Sequence, residues 1–219
     1  RLIGLSIAGP RARALLQRLT DDDVSNAAFR FMDYREMEVA RVRAQVNRIT
    51  YTGDLGYEIW VAPEYQRRLY QAIMEAGADL GLCNFGMRAL LCLRLEKHFG
   101  TWYREFRPIY SPLEAGLERF VKLDKPDFIG KAAVLRERQA GQRRRRVCMQ
   151  VDATDTDVMG DEPIWVDGKV VGWVTSGGYG HWVDQSLAQG YVPSELVAPD
   201  MQLEIEILGE RRPARLQTE

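Results

Sequence analysis

The stretch EVARVRAQVNRITYTGDLGYEIWV, Glu38 to Val61, decides how the chain is read. Ala40, Val42, Ala44 and Val46 fall on one face of an extended segment, and Arg41, Arg43, Gln45 and Asn47 on the other. A period of two marks a half-buried strand. After Asn47 the parity flips to Ile49 and Tyr51, which predicts one strand over 38–51 with a β-bulge near Asn47-Arg48. Thr52-Gly53-Asp54-Leu55-Gly56 reads as a turn and Tyr57 to Val61 as a second strand, giving a hairpin with a five-residue loop. On that second strand Tyr57, Ile59 and Val61 share one face, while Glu58 and Trp60 share the other.

Outward from this hairpin the chain mixes helices and strands. Leu2 to Ala8 reads as a strand, and Arg11 to Leu19 as a helix with Ala12, Leu15, Leu16 and Leu19 at helical spacing. Pro63 opens a helix whose stripe runs from Tyr65 through Leu69 and Ile73 to Leu80, ending at Gly81. Asn84 is placed to cap a further helix whose Ala89-Leu90-Leu91-Cys92-Leu93 is apolar almost all round, which predicts a central position. Phe99 to Leu117 reads as a long ordered loop, Phe120 to Leu123 as a strand and Ile129 to Arg138 as a helix. Beyond Gly141 short strands recur: 147–151, 164–166, 170–175, 186–192 and 203–207, with Asp167-Gly168 as a hairpin turn. The expected organisation is therefore an α+β domain over 1–141 and an all-β barrel or sandwich over 142–219.

Composition narrows the function. Lys plus Arg number 30 against 31 Asp plus Glu, so no basic excess points to nucleic acid. No apolar run approaches the ~18 residues of a membrane span, and no membrane partner is expected. Cys83, Cys92 and Cys148 form no C-x-x-C and lie in apolar stretches, which predicts buried free thiols in a reducing compartment. The first residue is Arg1, which enters a strand at once, and Arg215 to Glu219 reads as a strand cut short. A piece of a longer protein is the expectation.

The chemistry is sparse. His98 and His181 are the two histidines, with no H-x-H, H-E-x-x-H or cysteine pair, so no metal site is expected. Ser176-Gly177-Gly178-Tyr179-Gly180 is not followed by a helix and reads as a plain turn rather than a phosphate cradle. No nucleotide or flavin site is expected within the chain. Arg143 to Arg146 reads as a solvated run leading into a strand. Glu58 either faces solvent or points into a pocket, where a carboxylate must be met by donors. A pterin or guanidinium-like group offers two parallel N–H donors, which a carboxylate accepts together. The aromatic set Tyr51, Tyr57, Trp60, Trp102 and Tyr103 is either core or ligand platform.

Several segments resemble one family. Tyr51-Thr-Gly-Asp-Leu-Gly-Tyr-Glu58-Ile is similar to the Y-T-G-E-x-G-x-E segment of the aminomethyltransferases of the glycine cleavage T-protein fold. Leu93-Arg94-Leu95-Glu96 resembles their L-R-L-E helix, and Val171 to Gly178 followed by Leu187 to Val192 resembles their C-terminal barrel signature. Pro112 to Leu117, Phe128 to Lys131, and Asp23 to Asn26 with Phe29 resemble the folate-binding C-terminal part of dimethylglycine and sarcosine dehydrogenases. Leu90 and Leu91 stand where the glycine cleavage enzymes carry an Arg-Asp pair, which favours the dehydrogenase branch. His98 replaces a usual glycine.

The resemblance implies a folate-binding α+β region, partly ferredoxin-like, followed by a small β-barrel. It implies tetrahydrofolate as ligand, the pterin held by Glu58 with Tyr51 nearby, and Trp102 as an aromatic wall. The family's catalytic aspartate falls before residue 1, so no catalytic residue is assigned. FAD is expected in a separate upstream domain, a small N-methylated amine as substrate, and the cytoplasm or mitochondrial matrix as location. The implied activity is trapping an N-methyl-derived iminium or formaldehyde as 5,10-methylenetetrahydrofolate. The alternatives are a stand-alone aminomethyltransferase and a non-catalytic domain of the same fold. With the first third of the folate module missing, apolar surface near Leu2 to Ile7 is expected to be uncovered and the chain alone to self-associate.

Overall fold

The structure is a computed structural model that describes residues 1–198 and 200–217. The chain divides into two compact units, Arg1–Leu90 and Leu91–Glu219. No helix among the described residues is long and apolar enough to cross a membrane.

The first unit contains β1 (Ile3–Ala8), α1 (Ala12–Gln17), β2 (Tyr34–Val39), β3 (Val42–Asn47), β4 (Gly56–Val61) and α2 (Gln66–Ala76). The four strands form an antiparallel sheet in the order β1-β4-β3-β2. One face of the sheet is apolar: Ile7, Val42, Val46, Tyr57, Ile59 and Val61 are buried with Leu15 and Leu16 of α1 and Leu69 and Ile73 of α2. Phe29, from the segment between α1 and β2, stacks on Tyr57 with ring centroids 5.7 Å apart. Tyr65, placed on the buried stripe from spacing, is exposed; of the stretch Leu2 to Ile7 expected to be uncovered, Leu2 is exposed, Ile3 and Leu5 are half-buried and Ile7 is buried.

The long strand expected over 38–51 is instead a pair. β2 and β3 are joined by a two-residue turn at Ala40-Arg41, with Val39 opposite Val42. Both turn residues have left-handed backbones, at φ 53° and 60°. Such turns favour Asn-Gly or Asp-Gly, and nothing in Ala-Arg signals one. No bulge interrupts Asn47-Arg48. The strand ends there, and the parity change belongs to an eight-residue loop, 48–55, rather than to a five-residue one.

The third helix, α3 (Met87–Leu95), spans the division at Leu90. Asn84 does not cap it; its amide donates to the Tyr70 hydroxyl (2.7 Å). Nor is α3 buried all round: Arg94 and Leu95 are its buried residues, while Leu90 to Leu93 stay half-buried.

The second unit continues with an irregular segment over 99–117, α4 (Lys131–Ala140) and six strands, β5 (Arg144–Val151), β6 (Pro163–Val166), β7 (Lys169–Gly180), β8 (Gln185–Pro193), β9 (Gln202–Ile207) and β10 (Glu210–Leu216). The strands close into an antiparallel barrel in the order β10-β5-β8-β7-β6-β9. Met149, Ile164, Val174, Val192 and Ile205 fill it. Phe120 to Leu123 is not a strand; a 3-10 turn occupies Glu118–Phe120. Ser176 to Gly180 is not a turn but the last part of β7. A Cβ on Gly177 would lie 2.4 Å from the Val158 carbonyl oxygen, so these glycines serve close backbone approach within the barrel. Of the run Arg143 to Arg146, Arg143 and Arg145 are exposed as expected, while Arg144 and Arg146, at the start of β5, are half-buried and engaged. Arg144 pairs with Glu114 (3.3 Å) and lies over the Tyr110 and Trp173 rings. Arg146 donates to the His98 carbonyl (3.1 Å) and lies over Phe106. The three cysteines form no disulfide among the described residues, and none is buried: Cys83 is exposed, and Cys92 and Cys148 are half-buried.

His98 explains its own departure from the family pattern. Its φ of 57° is left-handed, a conformation that glycine adopts at no steric cost. The histidine holds it with its ring Nε2 2.7 Å from the Gln217 amide oxygen, while its carbonyl accepts from Arg146.

The segment over 99–117 is ordered by a buried carboxylate. Glu105 has no exposure, and Arg94 is 4% exposed. Glu105 accepts from the Thr101 backbone N–H (2.7 Å), the Thr101 hydroxyl (3.1 Å), the Ser176 hydroxyl and the Arg94 guanidinium (3.5 Å). Burial alone would raise the pKa of this carboxyl. The hydroxyl, backbone and Arg94 interactions outweigh burial and hold it below the ordinary value. Arg94 also donates to the Phe99 carbonyl (2.8 Å), and the Tyr191 hydroxyl donates to the Glu105 carbonyl (2.8 Å).

Two outcomes follow from this packing. Gly177→Ala forces a methyl group onto the Val158 backbone and is expected to lower stability by about 1–3 kcal/mol, read from urea unfolding of both proteins; an unchanged midpoint would show that the backbone yields there. Because the folded-state pKa of Glu105 is depressed, its contribution is complete above the ordinary carboxylate value of 4.5 and is lost as pH falls through the lower folded value. Glu105→Gln should therefore be less stable than the parent at neutral pH and lose less on acidification, measured by thermal melts at stepped pH.

Candidate functional site

Strand β4 is flanked on both sides, by β1 and by β3, and its polar face is built from three rows. Glu58 lies between Ser6 of β1 and Asn47 of β3, and Trp60 between Gly4 and Gln45. The alternation that buries Tyr57, Ile59 and Val61 turns Glu58 and Trp60 to the opposite face, where both are half-buried. The Trp60 ring lies across Gly4; a Cβ there would meet it at 2.9 Å. Packing on β1 thus accounts for the indole without a ligand. Glu58 has no such neighbour, and its carboxylate has no hydrogen-bond or ion-pair partner among the described residues.

Tyr51 sits in the 48–55 loop, half-buried and in contact with its surroundings. Thr52, which is buried, shapes that loop. Its hydroxyl oxygen lies 3.1 Å from that of Thr50 and accepts from the Asp54 backbone N–H, and the Thr50 hydroxyl donates to the Asp54 carbonyl (3.0 Å). Tyr51 and Glu58 therefore belong to one loop-and-strand element of the first unit.

A cavity of about 750 Å³ in the same unit runs along β1 and is walled by α1, α2 and residues 80–87. Gly4 and Ser6, the strand neighbours of Trp60 and Glu58, border it, whereas Glu58 itself does not. Leu5, Ile7, Leu15, Ile73 and Leu82 give it a largely apolar wall, to which Arg11 and Asn84 add polar groups. A second cavity, of about 760 Å³, lies in the second unit and is bordered by Asp152, Asp155, Asp157, Asp184 and Tyr179. No group of three metal-ligating side chains stands together among the described residues.

Trp102 lies in the second unit, on a short turn over 101–106, and is 83% exposed. It meets Phe106 edge to face, ring centroids 6.1 Å apart. The carboxylate cluster behind that turn was not legible in sequence as a cluster. Its members lie in two of the segments that carry the family resemblance, Arg94 in L-R-L-E and Ser176 in the barrel signature, but Glu105 sits in neither.

Comparison with known proteins places this geometry. Residues 1–125 match the GCVT N-terminal domain, and residues 144–219 match the glycine cleavage T-protein C-terminal barrel domain. The chain is 46% identical over 211 residues to the mitochondrial dimethylglycine dehydrogenase of Homo sapiens, covering 96% of this chain and 24% of that protein. It is 39% identical to the mitochondrial sarcosine dehydrogenase of Homo sapiens, over 86% of this chain and 20% of that one. It is 32% identical to an aminomethyltransferase of Desulfitobacterium hafniense, over 97% of this chain and 57% of that one. The chain thus spans about a quarter of the length of the dimethylglycine dehydrogenase it matches. Among solved structures, the glycine cleavage system aminomethyltransferase T of Bartonella henselae superposes with a TM-score of 0.86 at 26% identity, over 99% of this chain and 58% of that one. Sheet, barrel and sequence agree, and the chain belongs to the aminomethyltransferase family of the glycine cleavage T-protein fold.

Proposed function

We propose that this chain is the tetrahydrofolate-binding, one-carbon-accepting module of a dimethylglycine or sarcosine dehydrogenase-like flavoenzyme. The observation that carries the reading is Glu58. It is a half-buried carboxylate on a strand flanked on both sides, directed away from the core and without a protein partner among the described residues. Such a group suits a ligand that brings its own pair of N–H donors, as a pterin does. Tyr51, on the loop that leads into the same strand, is assigned to the same ligand. Trp102 is assigned as an aromatic contact for folate from its place after Leu93-Arg94-Leu95-Glu96. The functional division of the chain is placed at 141–142.

In this reading FAD would belong to a separate domain of the same polypeptide and would supply the two-electron oxidation of an N-methyl group of a small amine to an iminium. Nitrogen of tetrahydrofolate accepts that carbon as 5,10-methylenetetrahydrofolate, and the demethylated amine leaves. The residues of this chain bind and orient the acceptor. Holding it beside the one-carbon unit replaces a bimolecular encounter and keeps free formaldehyde from escaping. The 46% identity to a mitochondrial dimethylglycine dehydrogenase, against 32% to an aminomethyltransferase, favours this branch and the mitochondrial matrix or its bacterial counterpart, the cytoplasm.

The test uses the full-length protein as its gene encodes it. Glu58→Gln keeps the size of the side chain but turns one acceptor oxygen into a donor facing the donors of the pterin. Loss of a charge-assisted bond of this kind costs about 1.5–3 kcal/mol, or roughly 10- to 150-fold in tetrahydrofolate affinity. Calorimetric titration should read that loss. Amine oxidation at the flavin should be nearly unchanged while released formaldehyde rises. Parent-like folate affinity in Glu58→Gln would remove the role assigned to this residue.

A further inference from the structure

The turn that carries Trp102 is fixed at every residue except the two that face water. Thr101 is buried and donates twice to Glu105. Arg104 donates to both carboxylate oxygens of Asp161, at 2.8 and 2.7 Å. Glu105 is held by side chain and by carbonyl, the latter accepting from Tyr191. The Phe106 backbone N–H returns to the Thr101 carbonyl (3.0 Å), and Arg146 lies over the Phe106 ring at 5.4 Å. Gly100 closes the turn: a Cβ there would lie 2.6 Å from Phe106 and 2.8 Å from Glu105. Against this frame Trp102 and Tyr103 stand 83% and 65% exposed.

A large aromatic side chain in water on a mobile loop would lose rotational freedom on binding a ligand, whereas one on a fixed backbone has lost part of it in folding. Resting on the proposed folate reading, we infer that Glu105 is a positioning residue, its buried carboxylate setting the 101–106 turn so that Trp102 is held ready as the aromatic wall for tetrahydrofolate. Four donors meet one carboxylate: two from the turn itself, one from β7 and one from α3. The turn is thereby tied to the barrel and to the end of the L-R-L-E helix. Gln at position 105 keeps the volume but replaces one acceptor oxygen with an amide donor, opposite groups that already donate. The turn is then free to move, and Trp102 with it.

The experiment is a double-mutant cycle in the full-length protein, with the oxidation-stable 5-formyltetrahydrofolate as probe. Affinity is measured for the parent, Trp102→Ala, Glu105→Gln and the double variant, with Glu58→Gln alongside. If Glu105 acts through Trp102, Glu105→Gln weakens binding about 5- to 20-fold when Trp102 is present and less than about 2-fold when it is Ala. Should Glu105→Gln fail to fold, Ser176→Ala removes one bond to the same carboxylate and takes its place, with about a 2- to 5-fold loss expected that also disappears in the Trp102→Ala background. Equal losses in both backgrounds, or a Trp102→Ala protein that binds like the parent, overturn the inference. If Glu58→Gln still weakens binding in that case, the folate reading survives it; if Glu58→Gln is also silent, both fall.

Discussion

The Glu105 carboxylate has lost all contact with water, and a charge in that position is tolerated only where the protein supplies its donors. Much of the second unit follows from that requirement. Ser176 has to face inward from β7, Arg94 has to end α3 pointing at the same spot, and Thr101 has to offer both its backbone and its hydroxyl. A segment with no regular secondary structure is thereby held as firmly as a strand. The Arg94–Glu105 separation of 3.5 Å is long for an ion pair, so the hydroxyls and the Thr101 N–H carry most of the compensation. The Arg94 Nε, buried without a partner, is the residual cost of the arrangement.

The first unit solves a different problem. Strand β4 presents Tyr57, Ile59 and Val61 to one core and Glu58 and Trp60 to the other side. Only a side chain on that second face is free to serve a ligand, because the first is committed to packing. The Trp60 ring lies against Gly4, which leaves Glu58 as the group on this strand whose chemistry is unspent. Leu90 and Leu91 of α3 are half-buried and bring no charge to that helix.

Much of this was legible in sequence, where local pattern and tertiary role agreed. The alternation in 57–61, the Asp167-Gly168 turn and the helix after Pro63 were all read from residues that signal their own geometry. The β2–β3 hairpin was not, because Ala40 and Arg41 adopt left-handed backbones that neither residue advertises. Ser176 to Gly180 misled in the opposite sense: its glycines suggest a turn but answer a close approach by the Val158 backbone, a contact 19 residues away in sequence. Arg144 and Arg146 look solvated until Glu114, Phe106 and the His98 carbonyl are seen around them, whereas Arg143 and Arg145 are exposed. For the candidate site, Glu58 stood out as a carboxylate on an apolar strand. Glu105 did not, since burial and hydrogen-bond partners from three separate segments are properties of the fold alone.

The two sheets differ in one further respect. The barrel closes on itself, so each of its six strands has a neighbour on each side. The four-stranded sheet is open, with β1 and β2 as its margins. Strand β2 carries Arg35, Glu36 and Glu38, charges of the kind that discourage intermolecular pairing. Strand β1, Ile3-Gly-Leu-Ser-Ile-Ala8, carries none. Among the described residues its outer row of amide and carbonyl groups is an uncharged sheet margin, a ready template for a further strand with an apolar bed along which to lie.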